Sequence, residues 1–416
     1  DALPISGNTA TATVQDAEGI FTPLGNNLIG DPTGSEESWS ATDLTGIDAG
    51  TVIDRNLRVN GGSLLTHALL ADSPAIDAGD TTQATSAGLD YDQRGAGFAR
   101  INGAAVDIGA YEVNRFLVDT TADAVPSDAA DGLLSLREAL LLTHPGDMIE
   151  FAVSGTITLA ARLNIDNGKP AMVSSLGIIG PGQDTLTLSG GGATQILFIP
   201  SEESDVVISG LAFANGYDAP ADSARGGCAL YNFGTVRITD CSFTGNNAAN
   251  LDGGAVHNRG AMTMTNCSLQ NNQAGNLGGA MVNWGGNLTL DHCALLQNAA
   301  TDNGGGIANA LSGTLRLVDT TLSGNEAALG GGLHNASATT ATLLRCTLDT
   351  NTADSDGGAL LNLGALSLTN CTVSGNSANR SGGGVHHSMG NVSLTNCTLA
   401  GNIADAGTPL GFGDGG

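Results

Sequence analysis

Lysine is almost missing from this 416-residue chain: Lys169 is the only one, and Lys and Arg together number 14 against 41 acidic residues, for a net charge of −27. A chain this poor in cations cannot gain affinity by neutralising phosphates, which argues against nucleic acid as a partner and, for the same reason, against an anionic membrane surface. Aromatic residues make up 4% and charged residues 13% of the sequence. No apolar run approaches the ~18 residues of a membrane-spanning helix, so no membrane insertion is expected within this segment. No basic stretch followed by an apolar one opens the chain, so any export signal is expected to lie outside it. The seven cysteines are an odd number, contain no CxxC pair and do not resemble a disulfide framework. The acidic excess leaves hard divalent cations such as Ca²⁺ as the natural counter-ions.

What the chain has instead is glycine, at 61 positions, and a repeat. From Gly234 onward the cysteines mark a period of 25 to 27 residues: Cys241, Cys267, Cys293, then Thr320 in the same slot, then Cys346, Cys371 and Cys397. Five and three residues before each marker the side chain is apolar, as in Val236/Ile238 and Leu366/Leu368, and two residues after it stands Phe243, Leu269, Leu295, Leu322, Leu348, Val373 or Leu399. Five after it comes Asn every time: Asn246, Asn272, Asn298, Asn325, Asn351, Asn376 and Asn402. A Gly pair or triplet follows, then an aliphatic residue and, two positions on, usually a second Asn (258, 283, 309, 335, 362). Each unit therefore holds three short alternating stretches suited to strands, and the alternation slips by one at the residue pair before the marker. A unit this small cannot bury its own apolar face, so successive units must stack. The pattern predicts an all-β chain, a right-handed parallel β-helix of about 26 residues per three-strand coil, with the first Asn column as an inward amide ladder.

Upstream, 153–233 reads as longer, less regular coils of the same grammar, ahead of the regular coils of 234–416. Residues 115–152 read as a linker and an N-terminal capping segment with a helix near 134–143, stopping before Pro145-Gly146, and no other convincing helix is visible. A terminal coil needs such a cap because it exposes strand edges and apolar surface. Residues 1–114 read as the closing coils and cap of an upstream β-helix: "ISGNTA" at 5–10 repeats the grammar of "VSGNSA" at 373–378, with Leu3 in the marker slot and Asn8 in the Asn column. The chain thus begins and ends inside a coil, at the marker slot and at "GFGDGG", which suggests a segment of a tandem array.

"LLSLREAL" resembles the CSLREA motif that opens a class of bacterial surface β-helix proteins, with Leu134 where that family usually has Cys. "GNNLIGD", "LTHALLADSPAIDAGD", "DQRG" and "VDIGAYE" resemble the closing region of the choice-of-anchor class of secreted proteins, and the coil repeats are similar to those of polymorphic outer-membrane proteins. These resemblances imply an exported protein, secreted or held at a bacterial cell surface, that is anchored, adhesive or structural and not a known catalyst. Its implied partners are copies of itself, head-to-tail or covalently in tandem, and a cell-surface or glycan ligand met through loops such as 16–60 or 402–414. In this chain the closing region precedes the opening motif, which fits one unit of an array.

Candidate sites are weaker than the repeat. The column of Cys241, Cys267, Cys293, Cys346, Cys371 and Cys397 reads as soft core filler. His257, His334 and His386 share a slot that alternation points outward, and His387 replaces a column Asn, so no metal-ligand spacing arises. The Gly triplets precede no GKS/T, which excludes a phosphate loop. The acids Asp252, Asp302, Asp354 and Asp356 recur beside the glycine turns and offer at most weak calcium ligation; no other cofactor is expected. Ser/Thr columns beside the marker are broken by Arg237, Arg316 and Ala294, against a flat ice-binding array. Hydrolysis needs two or three convergent carboxylates, and an acidic-polysaccharide lyase favours a cationic groove; neither pattern is present, and few aromatics are available to stack on sugars. The expectation is a non-enzymatic structural protein, with a glycan-binding adhesin as the alternative and a polysaccharide lyase or hydrolase behind it.

Overall fold

The computed structural model describes residues 4–5, 25–30, 39–54, 57–124, 132–165, 175–218 and 226–405. One regular coil shows how the sequence makes the turn. Thr235–Thr239 is a strand with Val236 and Ile238 inward and Arg237 outward. Asp240 then takes a positive φ of 52°, which swings the chain through a corner and puts the next residue, Cys241, inside as well. That corner is the slip in the alternation, and Asp, Asn and His are common there because they tolerate the left-handed region. Ser242–Thr244 turns Phe243 inward, and a second left-handed residue, Gly245 at 65°, delivers Asn246 to the interior. After a glycine turn at Gly253 (φ 68°), Val256–Asn258 closes the coil.

Stacking these coils builds three parallel sheets of 11, 10 and 9 strands. The first runs from Arg115–Val118 to Asn391–Thr395, the second from Gly155–Thr158 to Thr398–Ala400 and the third from Leu163–Asn164 to Val385–His387. The fold is the right-handed parallel β-helix that the repeat predicts. Equivalent residues pair in register, as Val236 with Met262, Met262 with Leu288 and Leu288 with Leu315. Two apolar columns of the first sheet and one each of the second and third fill a single continuous core, from Val118 and Leu136 through to Val373. Each fully buried Leu, Ile or Val there contributes roughly 2 kcal/mol. Three strands per coil proves one too few, because two-residue strands such as Asn247–Ala248 and Thr352–Ala353 add a six-stranded fourth sheet after the Asn column. Its inward residue is always alanine, and Ala274, Ala300 and Ala327 form their own small cluster. Two residues carry too little alternation to be seen in the sequence.

Both Asn columns are ladders. Asn298 is fully buried. Its Nδ2 donates to Asn325 Oδ1 (3.0 Å) and to Leu269 O (2.9 Å). Its Oδ1 accepts from the main-chain N–H (3.0 Å) and Nδ2 (2.9 Å) of Asn272. All four hydrogen-bonding positions of the amide are therefore used, and the same set joins Asn246, Asn272, Asn298, Asn325, Asn351, Asn376 and Asn402. The second column, Asn232, Asn258, Asn283, Asn309, Asn335 and Asn362, repeats this at 2.7–2.9 Å, and Asn362 ends on His387 Nδ1 at 3.2 Å.

The cap is a short helix, and it is the second of two. α1 is Thr81–Ser86, capped by Asp80, whose carboxylate accepts from Thr82 and Gln83. Its threonine-rich sequence hides it from a propensity reading, so the expectation of a single helix is corrected. α2 is Leu136–Leu142, inside the expected 134–143. Ser135 and Glu138 form a reciprocal capping box around its start, while Leu136, Ala139 and Leu140 enter the β-helix core. Within the stretch read as linker, Arg115–Val118 is the first strand of the first sheet, paired with Met148–Phe151. Leu3, Asn8 and 406–416 lie outside the described residues.

The upstream region makes a second core. Pro4–Ile5, Leu28–Ile29 and Leu44–Thr45 pair in parallel, and Leu28, Val52, Leu69, Ile108, Tyr111 and Val113 pack with Met148. Met148 and Ile179 stand on the outer face of the first sheet, so this region lies against the flank of the β-helix. Further along that face, Arg237 pairs with Asp72 at 2.9 Å and with Asp205 at 2.9 Å, which accounts for its break in the Ser/Thr column.

Asn298→Ala removes four hydrogen bonds and leaves Asn272 with two buried donors short of an acceptor. We expect a loss of about 3 kcal/mol in urea denaturation. Asn402→Ala, at the partly exposed end of the column, should cost less than about 1 kcal/mol.

Candidate functional site

The marker column has a more specific role than filling space. The main-chain carbonyl two residues before each marker already accepts an N–H from the preceding coil, as Thr239 O does from Gly210 N, and the marker side chain brings it a second donor. Cys241 Sγ lies 3.3 Å from Thr239 O, Cys267 Sγ 3.3 Å from Thr265 O and Cys371 Sγ 3.3 Å from Thr369 O. Cys293, Cys346 and Cys397 do the same at 3.4 Å. Thr320, the one exception in the column, reaches Val318 O with its hydroxyl at 2.7 Å. The slot therefore requires a small side chain carrying a donor, a condition that both Cys and Thr meet. All the cysteines are free thiols. Burial pushes the thiol of Cys241 up to about 12 and that of Cys228 further. Hydrogen bonding to Cys293 and burial raise Cys267, and hydrogen bonding to Cys371 and burial raise Cys346. The same hydrogen bonds lower their partners Cys293 and Cys371. Metal binding needs the thiolate, so Cys228, Cys241, Cys267 and Cys346 are poorly suited to it.

The histidine slot lies on the outer face of its strands, as alternation has it, but two of its three members are covered. His257 and His334 are buried, 5% and 7% exposed, because the glycine turn of each coil folds back across the outer face of the third sheet. His257 stacks on Tyr231 with ring centroids 4.4 Å apart. Desolvation lowers His334 to about 4, so it stays neutral. His386 is half-buried and bonds Ser388 at 2.8 Å, and His387 is exposed.

The turn acids do not converge. Asp252 accepts from Leu277 N at 3.2 Å, with burial raising its carboxyl. Asp356 accepts from Ser381 N at 3.1 Å and from the Ser355 hydroxyl at 3.1 Å, with Arg380 at 3.7 Å. Asp302 and Asp354 are exposed. Among the described residues, the one group of three metal-ligating side chains is Asp291, His292 and Asp319 on the corner ridge. There His292 bonds Asp291 at 2.7 Å, while Arg345 holds both oxygens of Asp319 at 2.7 and 2.6 Å and keeps its carboxyl below the usual range. A cation would have to displace a guanidinium to gain Asp319.

The densest buried polar cluster is upstream, where the closing motifs meet. Arg94 of "DQRG" pairs with Asp92 at 2.7 Å, and its guanidinium lies 3.9 Å from the Tyr111 ring centroid. Arg100 pairs with Glu112 of "VDIGAYE" at 2.7 Å and also donates to the carbonyls of Asp107 and Gly109. Glu112 accepts the N–H of Asn102 and of Asp107, while Asp107 accepts those of Asp77 and Val113. Tyr111 donates to Pro145 O, Asn114 reaches Asp147 at 3.1 Å and Ala71 N reaches Ser175 at 2.7 Å, all across the seam to the β-helix. Beside this network lies a cavity of about 180 Å³ lined by Ile53, Thr66, His67, Gln93 and Tyr111, among others, with no acidic or arginine side chain in its wall. The network orders a docking seam. On another side of the network, Asp80, Asp107 and Arg100 line a smaller cavity of about 20 Å³.

The corner turns and the paired amide ladders define the fold as a right-handed parallel β-helix. Residues 203–402 match the family model described as the right handed beta helix region. No curated protein matches the chain. Among solved structures, it is similar to pectate lyase Pel9A, with 12% identity and a TM-score of 0.38 over 71% of this chain and 79% of that one. It is also similar to the A-module of the Azotobacter vinelandii mannuronan C-5 epimerase AlgE4 (15%, TM-score 0.33, 73% and 89%). A third, Geobacillus virus E2 ORF18, stands at 11% and 0.34 over 68% and 60%. Likenesses this distant carry no inference about activity.

Burial raises Glu112 to about 7, helped by Asp107, and raises Asp107 to about 6. Both groups titrate near 4 in an unfolded chain. Between roughly pH 4 and 7 the folded state therefore holds more protons, so stability falls as pH rises through that window and levels off above it. Hydrogen exchange of residues 57–113 at pH 5 and 7.5 should show a loss of roughly 2 kcal/mol, and Glu112→Gln should shrink the difference while lowering stability at both pH values.

Proposed function

We propose that this chain is a non-enzymatic structural segment of an exported bacterial surface protein, one unit of a tandem β-helix array that forms a filament, stalk or adhesin shaft. The observation that carries this reading is where the buried polar side chains go. In the regular coils they form two axial amide ladders that hold one coil to the next, and thiols of the marker column also reach carbonyls of the preceding coil, as Cys293 Sγ reaches Met264 O at 3.5 Å. In the upstream region Tyr111, Asn114 and Arg94 reach across to Pro145 and Asp147 and tie that region to the β-helix flank. Such a molecule resists bending and splaying along its axis, which is what a shaft requires. Copies of the chain, joined covalently or head-to-tail, are the partners this reading calls for. A glycan-binding role is the second reading, and one cluster of aromatic and arginine side chains favours it, as argued below.

Negative-stain images of native material should show rods or filaments longer than one unit. Incubation of the purified chain with polygalacturonate and with alginate should release neither reducing ends nor unsaturated ends. Isolated single units in the images, or turnover of either polymer, would overturn the proposal.

A further inference from the structure

We propose that the edge of the third sheet, where the chain leaves its strands beside the covered outer face, carries a binding platform for an acidic sugar chain, formed by Phe233, Arg259 and Trp284. The chain has 15 aromatic residues (9 Phe, 4 Tyr and 2 Trp), and four of them gather there. Phe198 and Tyr231 pack edge to face at 5.7 Å, Tyr231 and Phe233 lie 5.1 Å apart, and His257 links Tyr231 to Trp284, with centroids 4.4 and 6.1 Å away. Phe233, Arg259 and Trp284 directly follow Asn232, Asn258 and Asn283, which pair in register in three successive coils. They therefore climb the axis in steps of ~4.8 Å. Arg259 is exposed, and Phe233 and Trp284 are half-buried, so this column presents ring surface and a guanidinium outward.

The arginines give the ligand its sign. Eight of the described arginines pair with carboxylates: 58, 94, 100, 115, 137, 237, 345 and 380. Of the remaining three, Arg162, Arg259 and Arg316, two lie over rings of this one cluster: Arg162 is 4.6 Å from the Phe198 centroid and Arg259 5.4 Å from that of Phe233. Arg162 is held by the neutral amides of Asn164 and Gln195 at 3.0 and 3.1 Å. In a chain with 41 acidic residues, two guanidinium groups on an aromatic face with no carboxylate partner among the described residues suit an anion from outside. They stand three coil steps apart, ~14 Å along the axis. Two cations at that spacing are too sparse to follow a nucleic-acid backbone, which carries a charge every ~1.7 Å of duplex. They fit a polymer that alternates apolar ring faces with carboxylates, such as a uronate polysaccharide. The proposal adds a ligand to the shaft reading and does not depend on it, since loss of the platform would leave filament images unchanged.

The chain's two tryptophans make the test direct. In a Trp39→Phe background the emission of Trp284 reports the platform alone. Titration of the full chain with polygalacturonate should give a saturable emission change, and dextran of similar length should give none. Arg259→Ala should weaken the response on the order of tenfold. Arg259→Gln, which keeps the stem against Phe233 without the charge, should weaken it similarly. No saturable change, an equal response to dextran, or unchanged affinity in the folded Arg259→Gln variant would overturn the proposal.

Discussion

The side-chain amide of a buried asparagine, bonded to its copy one coil away, is the interaction on which this molecule rests. A β-helix coil has to turn without exposing its main chain to the core, and a buried unpaired donor or acceptor costs about 1–3 kcal/mol. Asn298 meets that constraint by using all of its hydrogen-bonding capacity at once, on the neighbouring amides and on a main-chain carbonyl. Because each amide is completed by the next, a coil that slipped by one residue would break several bonds and also turn its apolar side chains outward. Register is thus enforced twice, by the ladder and by the core. The marker column adds a third tie, in which a thiol reaches a carbonyl of the preceding coil, as Cys293 Sγ reaches Met264 O and Cys371 Sγ reaches Leu343 O, both at 3.5 Å.

Much of this was legible in the sequence, for physical reasons. A solenoid repeats its environment every coil, so any position with a strict requirement becomes a visible column. The invariant Asn, the apolar pair before the marker and the glycine turns follow from that. The slip in alternation before the marker proved to be a left-handed residue, seen at Asp240, Asn266 and Asn370. What was less legible depended on neighbours that recur weakly or lie far away in sequence. The donor role of the marker needed the position of a carbonyl, although Thr320 was the signal that polarity mattered there. Alternation predicted His257 and His334 outward, but it takes no account of a turn folding back over the sheet. The fourth sheet was too short to show a period.

The closing motifs illustrate a different limit. Their resemblance to a family's end region identified the residues, but only the fold shows what they do. "DQRG" and "VDIGAYE" meet as Arg94–Asp92 and Arg100–Glu112 ion pairs, and Tyr111 and Asn114 carry bonds across to Pro145 and Asp147. "SLRE" in the opening motif is a capping box, Ser135 with Glu138, that starts the helix closing the core. Replacing a buried ion pair with apolar side chains is often neutral for stability, so such a network is better understood as fixing one geometry between the upstream region and the β-helix than as the main source of stability.

Hydrogen exchange of the ladder's own side chains tests the central claim most directly. If the columns hold the coils together, the Nδ2 protons of Asn272, Asn298, Asn325 and Asn351 should exchange as slowly as the main-chain amides of the strands beside them. Exchange of those protons at the rate of surface asparagines, while the strands stay protected, would contradict the account.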